Sequence, residues 1–491
     1  MQRNHPASFP IAIIGAGFAG IGTAIRLKQA GIESFTMFER AGEIGGTWRD
    51  NTYPGAACDV PSHAYSLSFE QNPRWSHRFS PSGEIQDYLL GIVEKWKLRS
   101  HLRLGTEIVA ARFDETKGEW TLETSAGESF GARVVVSGVG GLVDPAYPDI
   151  KGLASFRGEL FHTARWNHEI DLAGKRVGVI GTGASAVQVV PSIAPQVARL
   201  DVFQRTPGWV VPKLDRRYSE RAKRAFERFP WLLRASRFAQ YATSELFGPM
   251  IFLDAPRLSA IGEGMSKRHL RAQVKDSALR EKLLPHFQFG CKRILVSDDY
   301  WASFERDNVE LVTEPIEEIV AEGVRTKDGE LHALDVVVFA TGFALGLAKA
   351  PFPVIGRGGR VLDEVWKDGA VAYKGMTVAG FPNWFTLMGP NTGPGHTSVL
   401  IYTEAQISHV LGAIRALRRE GWKFVDVLQE VQDRYNRGIQ GRMKHMVWST
   451  SCHPWYLSPD GSNHALYPGF AGEYALRTRR FARSEYEIAR F

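Results

Sequence analysis

Gly15, Gly17 and Gly20 follow the apolar run Ile11 to Ile14 as Gly-x-Gly-x-x-Gly and open a helical stretch that reads to about Gln29. Glycines at this spacing permit a tight turn, close approach of the backbone to a pyrophosphate, and packing of the helix on its strand. The helix N-terminus then presents free N–H groups and its positive dipole end to the phosphates. Glu39 ends the next apolar strand, 19 residues past Gly20, where a carboxylate accepts hydrogen bonds from ribose hydroxyls. Strand, turn, helix and acid together predict a nucleotide site suited to FAD.

The same arrangement recurs after Val177 to Ile180, with Gly181, Gly183 and Ala186 as the turn and Ala184, Ser185 and Gln188 beside them. Here the following strand ends in Gln204-Arg205-Thr206, and Arg205 falls 19 residues past Ala186. An acid at that place would repel a 2′-phosphate, whereas an arginine can pair with it through two parallel hydrogen bonds. The second site therefore suits NADPH rather than NADH, the plainer alternative for Arg205 being a surface residue at a strand end. Two such sites in one chain point to hydride transfer onto a flavin.

The elements that must position these turns imply an α/β fold. It comprises two doubly wound, Rossmann-like dinucleotide-binding domains with a helical insert. The expected layout is an FAD-binding domain formed by residues 1–150 and 381–491. An NADPH-binding domain at 151–380 is expected to carry an insert at about 216–285. That insert shows helical periodicity with few strand signals, and it is expected to overhang the cleft and shape a substrate tunnel. Asp335 to Gly342 reads as a buried strand and turn that return the chain to the flavin domain, and Val134 to Gly138 has a similar shape.

A chain of 491 residues is too long for one compact core. Its 60 basic and 53 acidic residues leave a net charge of +7, but the basic residues are dispersed, apart from local groups such as Arg216, Arg221, Lys223 and Arg224. No nucleic-acid-binding motif accompanies them, so the charge reads as a solvated surface that attracts a phosphorylated cofactor. Cys58, Cys291 and Cys452 are odd in number and far apart. They exclude a disulfide framework and any C-x-x-C redox or zinc motif; no metal site is expected, and a reducing, cytoplasmic home fits. The N-terminus lacks the apolar stretch of a signal peptide. The most lipid-like region, Trp231 to Leu253, carries Arg234, Arg237, Glu245 and Pro249. It reads as an amphipathic helix lining a tunnel or making weak contact with a membrane surface, not as a spanning segment.

Two further stretches carry a family resemblance. Phe156-x-Gly158-x-x-x-His162-x-x-x-Trp166 directly precedes the second nucleotide turn, and Gly45-Gly-Thr47-Trp48-Arg-Asp-Asn-Thr-Tyr-Pro-Gly-Ala-Ala-Cys-Asp59 follows the first unit. Both resemble the fingerprints of type I Baeyer–Villiger monooxygenases, and the resemblance runs from Ile11 to about Phe481. One departure is Asn167, where many members have proline. The resemblance implies that NADPH reduces FAD and that O2 adds to give a C4a-peroxyflavin, which converts a small-molecule ketone to an ester or lactone. It implies a catalytic role for Arg293, a partner and orienting role for Asp59, and a place near the NADP phosphate for Lys292. It puts Thr47, Trp48, Asp59 and Tyr65 around the FAD and Val109 near its adenine end. Trp455 resembles a tryptophan on a loop that closes over NADP, and His162 a linker residue with a structural role. The stretch Met388 to His396 resembles members that accept aryl or linear ketones.

Of three rival readings, two remain open. A flavin monooxygenase oxidising amines or sulfides would share the cofactors, but Arg293 and the complete fingerprints argue against it. A disulfide reductase needs a redox cysteine pair that the sequence does not offer. A non-catalytic flavin-binding sensor would keep the folds without needing Asp59, Arg293 and Arg205 together.

Overall fold

The computed structural model describes residues 9–344, 350–450, 457–458 and 461–491. Ile11–Ile14, an unbroken apolar run, forms a strand buried along its whole length, as expected of a central parallel strand covered on both faces. It pairs in parallel with Phe35–Phe38 on one side and Val134–Ser137 on the other. Leu102–Arg103 and Trp384–Thr386 complete this five-stranded sheet at its two edges. A second five-stranded parallel sheet has the order Val309–Val312, Arg199–Phe203, Arg176–Ile180, Val336–Phe339, Glu159–His162.

Side chains of a strand alternate between faces, and the cores divide accordingly. Ile11, Ile13, Val134, Val136 and Phe385 join one cluster; Ala12, Ile14, Val135 and Trp384 join another. In the second sheet Val177, Val179, Leu200 and Val202 are separated in the same way from Ile180, Phe203, Val337 and Phe339. The first cluster takes in the helices Phe18–Gln29, Ser82–Lys95 and Val399–Glu420. The opposite face meets an additional sheet built on Ile108–Asp114, mostly antiparallel. Val354, Leu362, Trp366, Ala372 and Val378 share that cluster with Ala12 and Ile14, so residues 354–378 pack on the first sheet.

Both sheets reverse strand order beside the strand that feeds a glycine turn. Ile11–Ile14 lies next to Val134–Ser137, and Arg176–Ile180 next to Val336–Phe339. Such a reversal leaves a crevice at the carboxyl ends of the strands, where ligands bind in open α/β sheets. Between residues 216 and 285 the chain forms four helices, Glu220–Arg228, Pro230–Phe252, Pro256–Gln273 and Ser277–Leu283. Arg237 of the longest donates to the carbonyls of His63 and Ser66 at 2.8 and 2.6 Å, which ties the insert to the first unit. Among the described residues no helix is long and apolar enough to cross a membrane.

Cys58 is buried with a free thiol. Cys291 is disulfide-bonded, which corrects the expectation that the cysteines stay reduced: separation along the chain does not bound separation in space.

Candidate active site

The two glycine turns differ from ordinary loops in where a side chain would go. A Cβ on Gly20 would lie 1.9 Å from the Gly15 carbonyl oxygen, and one on Gly15 2.7 Å from that of Gly138. These positions need glycine because strand, turn and helix touch there. Gly17 is different: its nearest non-neighbouring atom is 3.8 Å from such a Cβ, so the turn leaves room above its backbone. The second turn repeats the pattern. A Cβ on Gly181 would lie 2.5 Å from the Ala340 carbonyl oxygen, while one on Gly183 would meet nothing within 4 Å. Each turn is thus closed on its sheet side and open toward the crevice, a cradle that fits a pyrophosphate.

Glu39 follows its strand and is buried. Its Oε2 accepts from the Ala16 amide in the glycine turn at 2.9 Å, and Oε1 accepts from Arg49 at 2.9 Å. The carboxylate therefore stands at the turn, as its spacing predicts. Its Arg49 partner lies inside the Gly45–Asp59 stretch but was not singled out from the sequence. Thr47 and Trp48 begin a one-turn helix after Gly46, whose φ is +56°. The Trp48 indole donates to the Tyr65 hydroxyl at 3.1 Å, which brings two of the expected flavin residues together. Val109 is exposed; nearby, the Thr106 amide donates to the Glu39 carbonyl.

Arg205 is exposed two residues past its strand, and Thr206 accepts through its carbonyl from the Thr182 hydroxyl in the second turn at 2.9 Å. Lys292 comes from a distant loop, its Nζ 4.9 Å from the centre of the Phe287 ring. Burial and the positive charge of Arg205 lower the pKa of Lys292. Two cations held close enough to repel, at the edge of a nucleotide turn, form a donor set that fits a phosphate dianion.

Asp59 and Arg293 lie 234 residues apart in sequence and meet in a salt bridge of 2.5 Å. Burial alone would raise the Asp59 pKa, but the charge and hydrogen bond of Arg293 hold it below the usual carboxylate range. The carboxylate in turn raises Arg293 above the ordinary arginine value, so the guanidinium stays charged. The Arg293 side chain is 46% exposed and that of Asp59 27%: the pair is reached by solvent, which weakens its contribution to stability. Cys58 and Tyr65 beside it are pushed above their ordinary pKa ranges by burial, so both remain neutral.

Gln188, expected at the nucleotide, joins the two units. From the helix Ala186–Ile193 its Nε2 donates to the Ala57 carbonyl at 2.9 Å, and its Oε1 accepts from the Tyr53 hydroxyl at 2.9 Å. Gly55, at φ +81°, would drive a Cβ to 2.1 Å from Ser192 of the same helix. The loop carrying Asp59 is therefore clamped to the second nucleotide unit. Ala184 and Ser185 lie at the start of that helix, Ser185 at its N-cap without a side-chain capping bond. His162 is fully buried, its Nδ1 accepting from the Ala164 amide, and burial lowers its pKa to about 4. A neutral imidazole inside the edge strand of the second sheet is not placed to act as a general base in the cleft. Trp455 lies outside the described residues.

A cavity of about 460 Å³ is lined by Pro61, Ser236, Gln240, Thr243, Phe247 and His396 among others. Pro61 is two residues from Asp59. Ile251, also in the lining, presses its carbonyl on Gly290, where a Cβ would come within 2.1 Å. The helix Pro230–Phe252 supplies much of the wall.

Residues 12–228 match the pyridine nucleotide-disulphide oxidoreductase family model; that stretch holds Cys58 as its one cysteine, so what it shares is the nucleotide-binding fold and not a dithiol. A Baeyer-Villiger monooxygenase of Pseudomonas aeruginosa is 45% identical over 484 residues, covering 97% of this chain and 91% of that protein. An oxidized steroid monooxygenase bound to NADP superposes with a TM-score of 0.87 at 31% identity, covering 99% of this chain and all of the other. The OTEMO complex with FAD and NADP superposes at 0.88 with 29% identity and the same coverage. With 45% identity over nearly its whole length and the fold in common, the chain belongs to the Baeyer–Villiger monooxygenases, NADPH-dependent flavin enzymes.

Proposed function

We propose that the enzyme converts aryl or linear ketones to esters with O2, using FAD on the first turn and NADPH on the second. The observation that carries this reading is the Asp59–Arg293 pair, a fixed and partly exposed cation contributed across the two units. Bound FAD, reduced by NADPH, supplies the activation of O2. Gly15, Gly17, Gly20 and Glu39 hold its pyrophosphate and ribose, while Thr47, Trp48, Tyr65 and Val109 line its place. Gly181, Gly183, Ala184, Ser185 and Ala186 receive the pyrophosphate of NADPH, with Arg205, Thr206 and Lys292 at its 2′-phosphate. Asp59 orients Arg293 and keeps it protonated. Arg293 then stabilises negative charge as it develops on the substrate carbonyl oxygen, the task of a preorganised donor in a shielded site. Cys58 and Tyr65 stay neutral beside the pair.

The unit that carries FAD is read as residues 1–150 together with the C-terminal part, and the unit that carries NADPH as the chain between. Packing of residues 354–378 on the first sheet favours a return near 350 rather than 380. The use of NADPH as reductant supports a cytoplasmic location. Trp231, Phe238 and Leu246 are exposed at helical spacing on Pro230–Phe252, which supports weak contact of that helix with a membrane surface.

The test is product analysis with phenylacetone, 2-decanone and thioanisole under NADPH and O2. Esters from the ketones are expected. The Arg293→Ala variant should still oxidise NADPH while yielding no ester. Sulfoxide as the sole product would move the enzyme to heteroatom oxidation, and normal ester formation by Arg293→Ala would overturn the role given to that residue.

A further inference from the structure

Between the helix Val399–Glu420 and the chain that follows the helix Ala471–Thr478, a second cavity of about 510 Å³ is lined by Arg415, Arg419, Arg479, Arg480 and Arg483, with Glu420 as its one carboxylate. Two segments build it. Ser408, Gly412, Arg415, Ala416 and Arg419 recur at helical spacing along the helix Val399–Glu420 and present one face. The chain after the helix Ala471–Thr478 supplies the opposite wall. Gly412 permits their close approach, because a Cβ there would lie 3.1 Å from that of Phe481. Beneath them the Arg483 guanidinium sits over the Trp422 ring, 5.2 Å from its centre.

Helix ends explain part of this charge. Arg419 is in the last turn of its helix, and Arg479 caps the end of the other, where cations complement the dipole. Arg415, Arg480 and Arg483 lie outside those last turns, and none of the three forms an ion pair among the described residues. Guanidinium groups that converge on one concavity repel each other and match anions that accept paired N–H donors, above all phosphates. We propose that this cavity is a binding site for a clustered phosphate anion, either a soluble oligophosphate or the headgroup of an anionic phospholipid. It stands apart from the oxygenation chemistry and does not depend on it.

The flavin-loaded enzyme, saturated with NADP+ so that Arg205 and Lys292 are engaged, is titrated calorimetrically with inorganic triphosphate at fixed ionic strength. In parallel it is sedimented with phosphatidylglycerol vesicles and with phosphatidylcholine vesicles. One triphosphate per chain is expected for a soluble ligand. Selective sedimentation with phosphatidylglycerol is expected for a lipid headgroup. In either case Arg415→Ala and Arg480→Ala should each weaken binding by about tenfold, while Arg221→Ala leaves it unchanged. Ester formation should be the same in all three variants, which shows that they are folded. Absence of saturable binding in both arms, or binding that survives Arg415→Ala and Arg480→Ala, overturns the proposal.

Discussion

Arg205→Ala isolates the contact on which the choice of NADPH over NADH depends. The residue is exposed, makes no ion pair among the described residues, and lies close enough to Lys292 for its charge to lower the pKa of that lysine. A hydrogen bond to a charged group contributes about 1.5–3 kcal/mol, and exposure places Arg205 at the lower end of that range. The KM for NADPH should therefore rise about tenfold, with kcat at saturation nearly unchanged. NADH lacks the 2′-phosphate, so its KM should move less than about twofold. The pH profile adds a second readout. Removing the Arg205 charge lets the Lys292 pKa climb back toward its ordinary value. The alkaline rise in the KM for NADPH, caused by deprotonation of Lys292, should then begin at higher pH in Arg205→Ala than in the parent. Steady-state kinetics with both coenzymes from pH 7 to 10 measure all three quantities. Equal losses for NADPH and NADH, or an alkaline limb that does not move, would refute the phosphate contact.

The packed and open glycines should respond in opposite ways. Gly20→Ala places a methyl 1.9 Å from a backbone carbonyl, and flavin absorbance per purified chain should fall to near zero. Gly183→Ala meets nothing within 4 Å and should retain its flavin and its thermal midpoint while losing affinity for NADPH; a variant without flavin would contradict the open cradle. His162 supplies a pH dependence of defined sign. Its folded pKa is depressed to about 4, so its neutral, buried form contributes stability above the unfolded pKa near 6.5 that is lost as pH falls toward 4, up to about 3 kcal/mol. His162→Asn should therefore show a smaller drop in thermal midpoint between pH 7.0 and 4.5 than the parent, and an unchanged drop would count against a buried neutral imidazole. His63 and His409, also depressed by burial, to about 4 and about 3, keep part of the acid sensitivity in that variant.

Much of the fold was legible because the signals are local. The strand Ile11–Ile14, the helix to Gln29 and the strand Arg176–Ile180 stand where apolar runs and glycine spacing put them. The helix Pro230–Phe252 nearly coincides with the lipid-like stretch read from Trp231 to Leu253. Glu39 reaches its glycine turn because a strand of known direction delivers it there. Other features left no such trace. The clamp of Gln188 on Ala57 and the pairing of Arg49 with Glu39 join residues that no spacing rule connects. Cys291 enters a disulfide although its sequence neighbourhood resembles no disulfide motif.

By itself the sequence determined two nucleotide turns and the opposite charges that follow them, since turn conformation and ribose-end chemistry depend on residues within about 20 positions of each other. The meeting of Asp59 with Arg293, the approach of Lys292 to Arg205 and the gathering of arginines around the second cavity were decided only by the tertiary structure. These are contacts between side chains carried on separate elements, and their geometry is set by how the sheets and helices pack, which no local pattern of residues encodes.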